Sequence, residues 1–183
     1  VVLAITGASG APYAVRLLQI MATEHVPTWL VVSGPGWRLL DEECGIASLA
    51  GLKRVTGGDW KTVQLFEDGD RGAGPASGSA RTMGMVVCPC SMGTLSAIAH
   101  GTSRSLIERA ADVCFKERRK LILVPRETPY SEIMLENMLR VTRAGAIVLP
   151  ASPGFYSGET RVEQMVDFIV SRVLDQLGVE NSL

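Results

Sequence analysis

Short runs of apolar, mostly β-branched residues recur along this chain, and most are followed by a segment whose apolar residues fall at helical spacing. That alternation leaves few folds open, because a helix that returns the chain between strands lines the strands up in parallel. Residues 1–5, 29–33, 63–66, 85–87, 121–124 and 146–149 read as six strands. Most of these runs are apolar at nearly every position, the pattern of strands buried on both faces. Ala14, Leu17, Leu18 and Met21 give the first helix one apolar stripe, and Pro12 suits its first turn. Residues 39–44 read as helical, as do 131–143. Ser105-Leu106-Ile107-Glu108 is a capping-box pattern opening a helix that ends near Arg118, in a basic cluster suited to the negative end of the helix dipole. Thr160-Arg161-Val162-Glu163 repeats the pattern before a long helix with apolar Val162, Val166, Ile169, Val173 and Leu177, and Gly178 can end it. Residues 67–82, rich in Gly, Ala and Pro, read as a mobile loop. The expectation is a three-layer α/β, Rossmann-type fold with a mostly parallel sheet, in one domain over residues 1–183.

Composition narrows the function. Of 183 residues, 46% are hydrophobic and 20% charged, and the formal net charge is −1, so no basic field exists to draw in nucleic acid or an anionic membrane surface. No apolar run approaches the ~20 residues of a bilayer span, and the first run lacks the basic flank of a signal peptide. Cys88 and Cys90 have C-x-C spacing with no second pair, and His25 and His100 are the only histidines, so no metal site is expected. Reduced, buried thiols in a cytoplasmic protein are the plain reading of the four cysteines.

Ligands of such sheets bind at the carboxyl ends of the strands. Thr6-Gly7-Ala8-Ser9-Gly10 follows the first strand, and Cys88-Pro89-Cys90-Ser91-Met92-Gly93-Thr94 follows the fourth. Both are small-residue, hydroxyl-bearing corners running into helices, where free N–H groups attract phosphate or a flavin edge. The G-x-G-x-x-G spacing of dinucleotide folds is absent, and no acidic ribose-binding residue follows strand two, which favours a mononucleotide. Pro125-Arg126-Glu127-Thr128-Pro129 brings a guanidinium and a carboxylate to the same edge, and Pro150-Ala151-Ser152-Pro153-Gly154-Phe155-Tyr156 brings a phenol. Taken singly, each could equally be a tight turn, an Arg–Glu pair or a packed tyrosine.

The chain resembles the flavin prenyltransferase family (UbiX/Pad1) over nearly its whole length. The resemblance is carried by Thr6-Gly7-Ala8-Ser9-Gly10-Ala11, Ala76-Ser77-Gly78-Ser79, Cys88-Pro89-Cys90-Ser91, Glu108-Arg109-Ala110-Ala111-Asp112-Val113, Lys116-Glu117-Arg118-Arg119, Leu123-Val124-Pro125-Arg126-Glu127, Leu135-Glu136-Asn137-Met138-Leu139 and Pro153-Gly154-Phe155-Tyr156. It implies a flavodoxin-like sheet binding reduced FMN, a homo-dodecamer, and metal-independent transfer of a dimethylallyl group from dimethylallyl monophosphate, or the diphosphate, to flavin N5 and C6. The product, prenylated FMN, serves UbiD-type decarboxylases. Motif by motif, the resemblance assigns Gly7, Ala8, Ser9, Ser33, Ser91, Met92, Gly93, Thr94 and Arg126 to FMN, with Arg109 as a further contact. It assigns Lys116, Arg126, Tyr156 and Arg172 to the substrate phosphate. Glu43, Glu127 and Ser9 fall at catalytic positions, Glu43 near the reacting flavin edge and Glu127 beside the phosphate. The chain departs from the family at Gly34-Pro35-Gly36, where relatives carry Lys-Ala-Ala after the serine, and at Arg71, near a position where some carry Trp. Alternatives are a flavin-dependent cysteine decarboxylase and a non-catalytic FMN electron carrier.

Overall fold

A computed structural model describes every residue except Tyr156, Ser157, Glu159, Thr160 and Ser182. The strands are β1 (Val2–Ile5), β2 (Thr28–Val32), β3 (Val63–Glu67), β4 (Gly84–Cys90), β5 (Lys120–Pro125) and β6 (Ile147–Val148). The helices are α1 (Ala11–Thr23), α2 (Gly34–Cys44), α3 (Leu49–Thr56), α4 (Met92–His100), α5 (Leu106–Lys116), α6 (Glu132–Arg143) and α7 (Val162–Leu177). The sheet order is β3-β2-β1-β4-β5-β6 and every neighbouring pair is parallel. This is the doubly wound order whose direction of winding reverses between β1 and β4, and a crevice opens there at the carboxyl edge.

Alternate residues of each strand feed two cores. Leu3, Ile5, Leu30, Val86, Ile122 and Val124 face α1, α2, α3 and α7. Val2, Ala4, Val31, Met85, Val87, Leu121 and Leu123 face α4, α5 and α6. The α1 stripe buries Leu17, Leu18 and Met21 completely, each contributing roughly 2 kcal/mol of transfer free energy.

Three local differences from the sequence reading matter for the site. Helix α2 starts at Gly34, not at residue 39: Ser33 Oγ accepts the Gly36 N–H at 3.1 Å, and Pro35 is tolerated in a first turn. Gly36 permits this start, since a Cβ there would stand 2.5 Å from the Ile5 carbonyl oxygen. Strand β4 runs on through Cys88, Pro89 and Cys90, residues that read as loop. A register shift between Val87 and Cys90 removes the ladder bond that proline cannot donate. The 67–82 segment is pinned at both ends: Asp68 accepts the Leu106 and Ile107 N–H groups through its carbonyl and Oδ1, and the Arg119 guanidinium donates to the carbonyls of Gly78 and Ala80.

Both capping boxes are modified. Ser105 Oγ caps Glu108 N–H, but the Glu108 carboxylate reaches past Ser105 to Arg104 N–H (2.7 Å), the Arg104 guanidinium (2.9 Å) and the Thr102 hydroxyl (2.8 Å). Arg161 stands at the α7 N-cap with Gln164 Oε1 accepting its N–H, while Thr160 lies outside the described residues.

Candidate functional site

The crevice between β1 and β4 is built around Thr6, which is 2% exposed. Its hydroxyl donates to the Pro89 carbonyl at 2.8 Å and accepts the Ser91 N–H at 2.8 Å, while its own N–H donates to Pro89 at 3.2 Å. One side chain thus fixes the spacing of the two small-residue corners. The sequence signal for Thr6 is slight: a single hydroxyl directly after a wholly apolar strand.

Gly7 brings the β1 corner against α2: a Cβ there would lie 2.4 Å from Pro35 Cβ. At the start of α1, Glu43 Oε2 accepts the N–H groups of Gly10 (2.9 Å) and Ala11 (2.7 Å). The carboxylate occupies the positive end of α1, where a ligand phosphate could otherwise sit. Both bonds fall on Oε2, and among the described residues Oε1 has no partner. The α4 start is open by contrast. Ser91 Oγ accepts the Thr94 N–H at 3.2 Å and lies 3.0 Å from Thr94 Oγ1. Among the described residues the N–H groups of Met92 and Gly93, and of Gly7, Ala8 and Ser9, have no acceptor within the chain. A helix start with two free donors and two hydroxyls fits a phosphate; a row of free backbone donors along residues 7–9 fits the polar edge of a flavin.

From the other side of the crevice, Arg126 Nε donates to the Ser9 carbonyl at 3.3 Å, joining β5 to the β1 corner across 117 positions. Glu127 follows, half-buried, its Oε1 accepting the Thr128 N–H at 3.1 Å. Both line a cavity of about 340 Å³ with Tyr130, Ala151 and Ser152. A larger cavity of about 530 Å³ lies outside α1 against α7; Val15, Val55, Val162 and Val166 supply its apolar wall, and its Arg16 and Asp167 already pair at 2.6 Å.

The remaining candidates are dispersed. Ser33 caps α2 at the carboxyl edge. Arg109 stands half-buried in the first turns of α5, whose N-terminus Asp68 holds at that same edge, and no hydrogen bond joins it to the two corners among the described residues. Lys116 ends α5 at the opposite edge, paired with Glu117 Oε1 at 2.5 Å. Arg172 lies well along α7, paired with Asp175 at 3.0 Å. Tyr156 is outside the described residues. Burial pushes the Cys88 thiol up to about 12, Cys114 up to about 11, and Cys90 and Cys44 up as well, which keeps these thiols protonated.

Residues 1–174 match the family model described as Flavoprotein. The chain is 45% identical over its whole length to the flavin prenyltransferase UbiX of Pseudomonas aeruginosa, covering 91% of that protein. It belongs to the flavin prenyltransferase family. Solved structures of UbiX-type flavoproteins overlay closely. AnUbiX (PadA1) in complex with FMN and dimethylallyl pyrophosphate matches with a TM-score of 0.88 at 39% identity, covering 100% of this chain and 96% of that one. The dodecameric FMN-dependent UbiX-like decarboxylase of Escherichia coli O157:H7 matches with a TM-score of 0.87 at 41% identity, covering 100% and 98%. Family membership agrees with the crevice: its donors suit a monophosphate flavin, and no acidic ribose clamp follows β2.

Proposed function

We propose that this chain is a flavin prenyltransferase that joins a dimethylallyl group from dimethylallyl monophosphate, or the diphosphate, to N5 and C6 of reduced FMN. The observation that carries the reading is the convergence of the residue 7–9 corner, the open α4 start and Arg126 on one crevice at the β1/β4 reversal. It is supported by full-length similarity to named flavin prenyltransferases.

Reduced FMN supplies the nucleophilic N5 and C6. The chain supplies the rest. Gly7, Ala8 and Ser9 offer backbone donors, and Ser33, Ser91, Met92, Gly93, Thr94 and Arg126 hold phosphate and flavin edge, with Arg109 beyond them. Arg126 places a fixed positive charge where the departing phosphate gathers negative charge. Glu127, next to it, exchanges a proton with that phosphate. Glu43 is anchored by Oε2, which leaves Oε1 to take the proton lost when C6 is joined.

Lys116 belongs to the phosphate cluster by family pattern, yet it lies at the amino edge of β5. A strand of this length separates the two sheet edges by roughly 17–20 Å, beyond the reach of a lysine stem. In the proposed enzyme, therefore, Lys116 serves the crevice of a neighbouring copy, with Arg172 and Tyr156 completing the cluster. That requires a homo-oligomer, and we extend to this chain the dodecamer stated for the E. coli relative. Residues 1–183 act as one flavoprotein domain in the cytoplasm, in keeping with its four unpaired cysteines, three of them buried and Cys44 half-buried. No helix among the described residues is long and apolar enough to cross a membrane. The product passes to a UbiD-type decarboxylase.

The cysteine decarboxylase reading needs a histidine base in the crevice. His100 instead ends α4, exposed, with Nδ1 2.8 Å from the Ser96 carbonyl, and His25 is exposed beyond α1. An electron carrier would not need Glu127 beside Arg126. Anaerobic incubation with reduced FMN and dimethylallyl monophosphate, followed by mass analysis of the flavin, tests the proposal. A dimethylallyl adduct is expected; unmodified FMN after complete incubation overturns it.

A further inference from the structure

Helix α5 ends in a close turn. Arg118 takes a left-handed backbone conformation, φ 52°, and the N–H groups of Arg118 and Arg119 close back on the carbonyls of Phe115 (3.1 Å) and Cys114 (2.8 Å). Helices commonly end this way, though usually on a glycine. Arg119, the next residue, reaches across 39 and 41 positions to donate to the carbonyls of Ala80 (2.7 Å) and Gly78 (2.5 Å). The segment it holds is itself folded: the Ala80 N–H donates to the Ser77 carbonyl at 3.3 Å, and the Ser77 and Ser79 hydroxyls lie 2.9 Å apart.

Gly78 lies against the Lys116–Glu117 pair. A Cβ at residue 78 would stand 2.5 Å from Lys116 Nζ and 2.5 Å from Glu117 Oε1, closer than a methyl group can approach. The backbone does not call for glycine there, because Gly78 is not among the residues with positive φ. What its missing side chain provides is space, and the ammonium and carboxylate fill it. Among the described residues Glu117 Oε1 is the only partner of the ammonium, at 2.5 Å. An ammonium on a flexible four-carbon stem is otherwise spread over many rotamers, and fixing it costs entropy. Here a carboxylate on one side and a clamped backbone on the other narrow its position.

We propose that Gly78 and Arg119 are positioning residues for Lys116: the Arg119 clamp sets Gly78 beside the ammonium, and Gly78 together with Glu117 fixes where that ammonium is presented to the donor phosphate. The proposal rests on the reading above that Lys116 serves the crevice of a neighbouring copy, and it names what sets the lysine in place. A phosphate in that crevice then meets a cation already held, so less freedom is lost when the contact forms. Arg119 acts through the carbonyls of Gly78 and Ala80 and itself touches neither donor nor flavin.

Binding of dimethylallyl monophosphate to the assembled protein loaded with oxidised FMN, which does not attack the donor, isolates this contact from turnover. Lys116→Ala should weaken that binding about 10- to 100-fold, the loss of one charge-assisted phosphate contact. Gly78→Ala should weaken it about 3- to 10-fold. Its new methyl displaces only the flexible ends of Lys116 and Glu117, so fold and FMN affinity should stay as in the wild type. Arg119→Met should act in the same direction by releasing residues 78–80, and Gly78→Ala decides the matter even if that variant folds poorly. The decisive comparison is the double variant Gly78→Ala/Lys116→Ala, which should bind as Lys116→Ala does, because no ammonium is left to misplace. Wild-type binding by Gly78→Ala, or an equal loss with and without Lys116, overturns the positioning role. Undiminished binding by Lys116→Ala overturns the reading beneath it, that Lys116 meets the donor phosphate.

Discussion

Replacing Glu43 separates its structural role from its proposed chemical one. Its Oε2 answers the N–H groups of Gly10 and Ala11 at 2.9 and 2.7 Å, at the positive end of α1, and both donors belong to buried residues. A hydrogen bond to an ionised acceptor contributes about 1.5–3 kcal/mol, and the charge–dipole interaction about 0.3–1 kcal/mol. Glu43 itself is exposed, so water recovers part of both when the side chain is removed. Glu43→Ala should therefore lose about 2 kcal/mol, and Glu43→Gln, which keeps a carbonyl acceptor, about 1 kcal/mol. For a chain of this size those losses lower Tm by about 4–8 °C and about 2–4 °C. Urea denaturation of the FMN-free protein at fixed concentration measures them. Prenylation should fall further, and to a similar degree, in both variants, because amide and methyl alike cannot take the C6 proton. If both variants keep wild-type stability within about 0.5 kcal/mol, the α1 anchoring is refuted. If Glu43→Gln keeps full prenylation, the proton-accepting role is refuted.

Four further outcomes follow from the same geometry. Arg126→Met should weaken FMN binding about 10- to 100-fold by fluorescence titration, since a charge-assisted phosphate contact and the tie to Ser9 are both lost. Glu127→Gln should leave FMN affinity unchanged and slow single-turnover prenylation about 10- to 100-fold; an unchanged rate removes Glu127 from proton exchange. Burial pushes the Glu108 carboxyl up, but bonds from the Arg104 side chain and backbone and the Thr102 hydroxyl outweigh it and hold it below the usual carboxylate range. A carboxyl whose folded value is depressed stabilises above its unfolded value and loses that contribution as pH falls through the folded one. Acid titration of stability should thus fall less steeply in Glu108→Gln than in the wild type below about pH 4.5. Finally, Lys116→Ala and Arg126→Met proteins, each inactive alone, should regain part of the activity when dissociated and reassembled together; no recovery would argue that each copy completes its own site.

The parts of the fold legible in the sequence are those where one local signal agrees with the tertiary context. β1, β2 and β5 are continuous apolar runs because both faces are covered. α1, α6 and α7 show an apolar stripe because one side packs on the sheet. α3 is harder to read because it spans only eight residues, two turns, with Gly51 inside it and just Leu52 and Thr56 fully buried. The last three residues of β4 do not read as strand in the sequence, because a proline argues against a central strand; a register shift, invisible in sequence, accommodates it. In the site, the two corners and Arg126 were legible as residue types at strand ends. The roles of Thr6 and of Glu43 as tie points were not, since each depends on distances between segments far apart in the chain. Lys116 shows the remaining gap: its residue type fits a phosphate, but its place in one copy is the wrong edge of the sheet, and only an assembly can resolve that.

The most direct measurement is connectivity in the product. Reduced FMN and ¹³C-labelled dimethylallyl monophosphate, incubated anaerobically with the protein, should give a flavin whose carbon NMR shows bonds from the added group to both N5 and C6. Unmodified FMN, or an adduct joined elsewhere on the ring, would contradict the account.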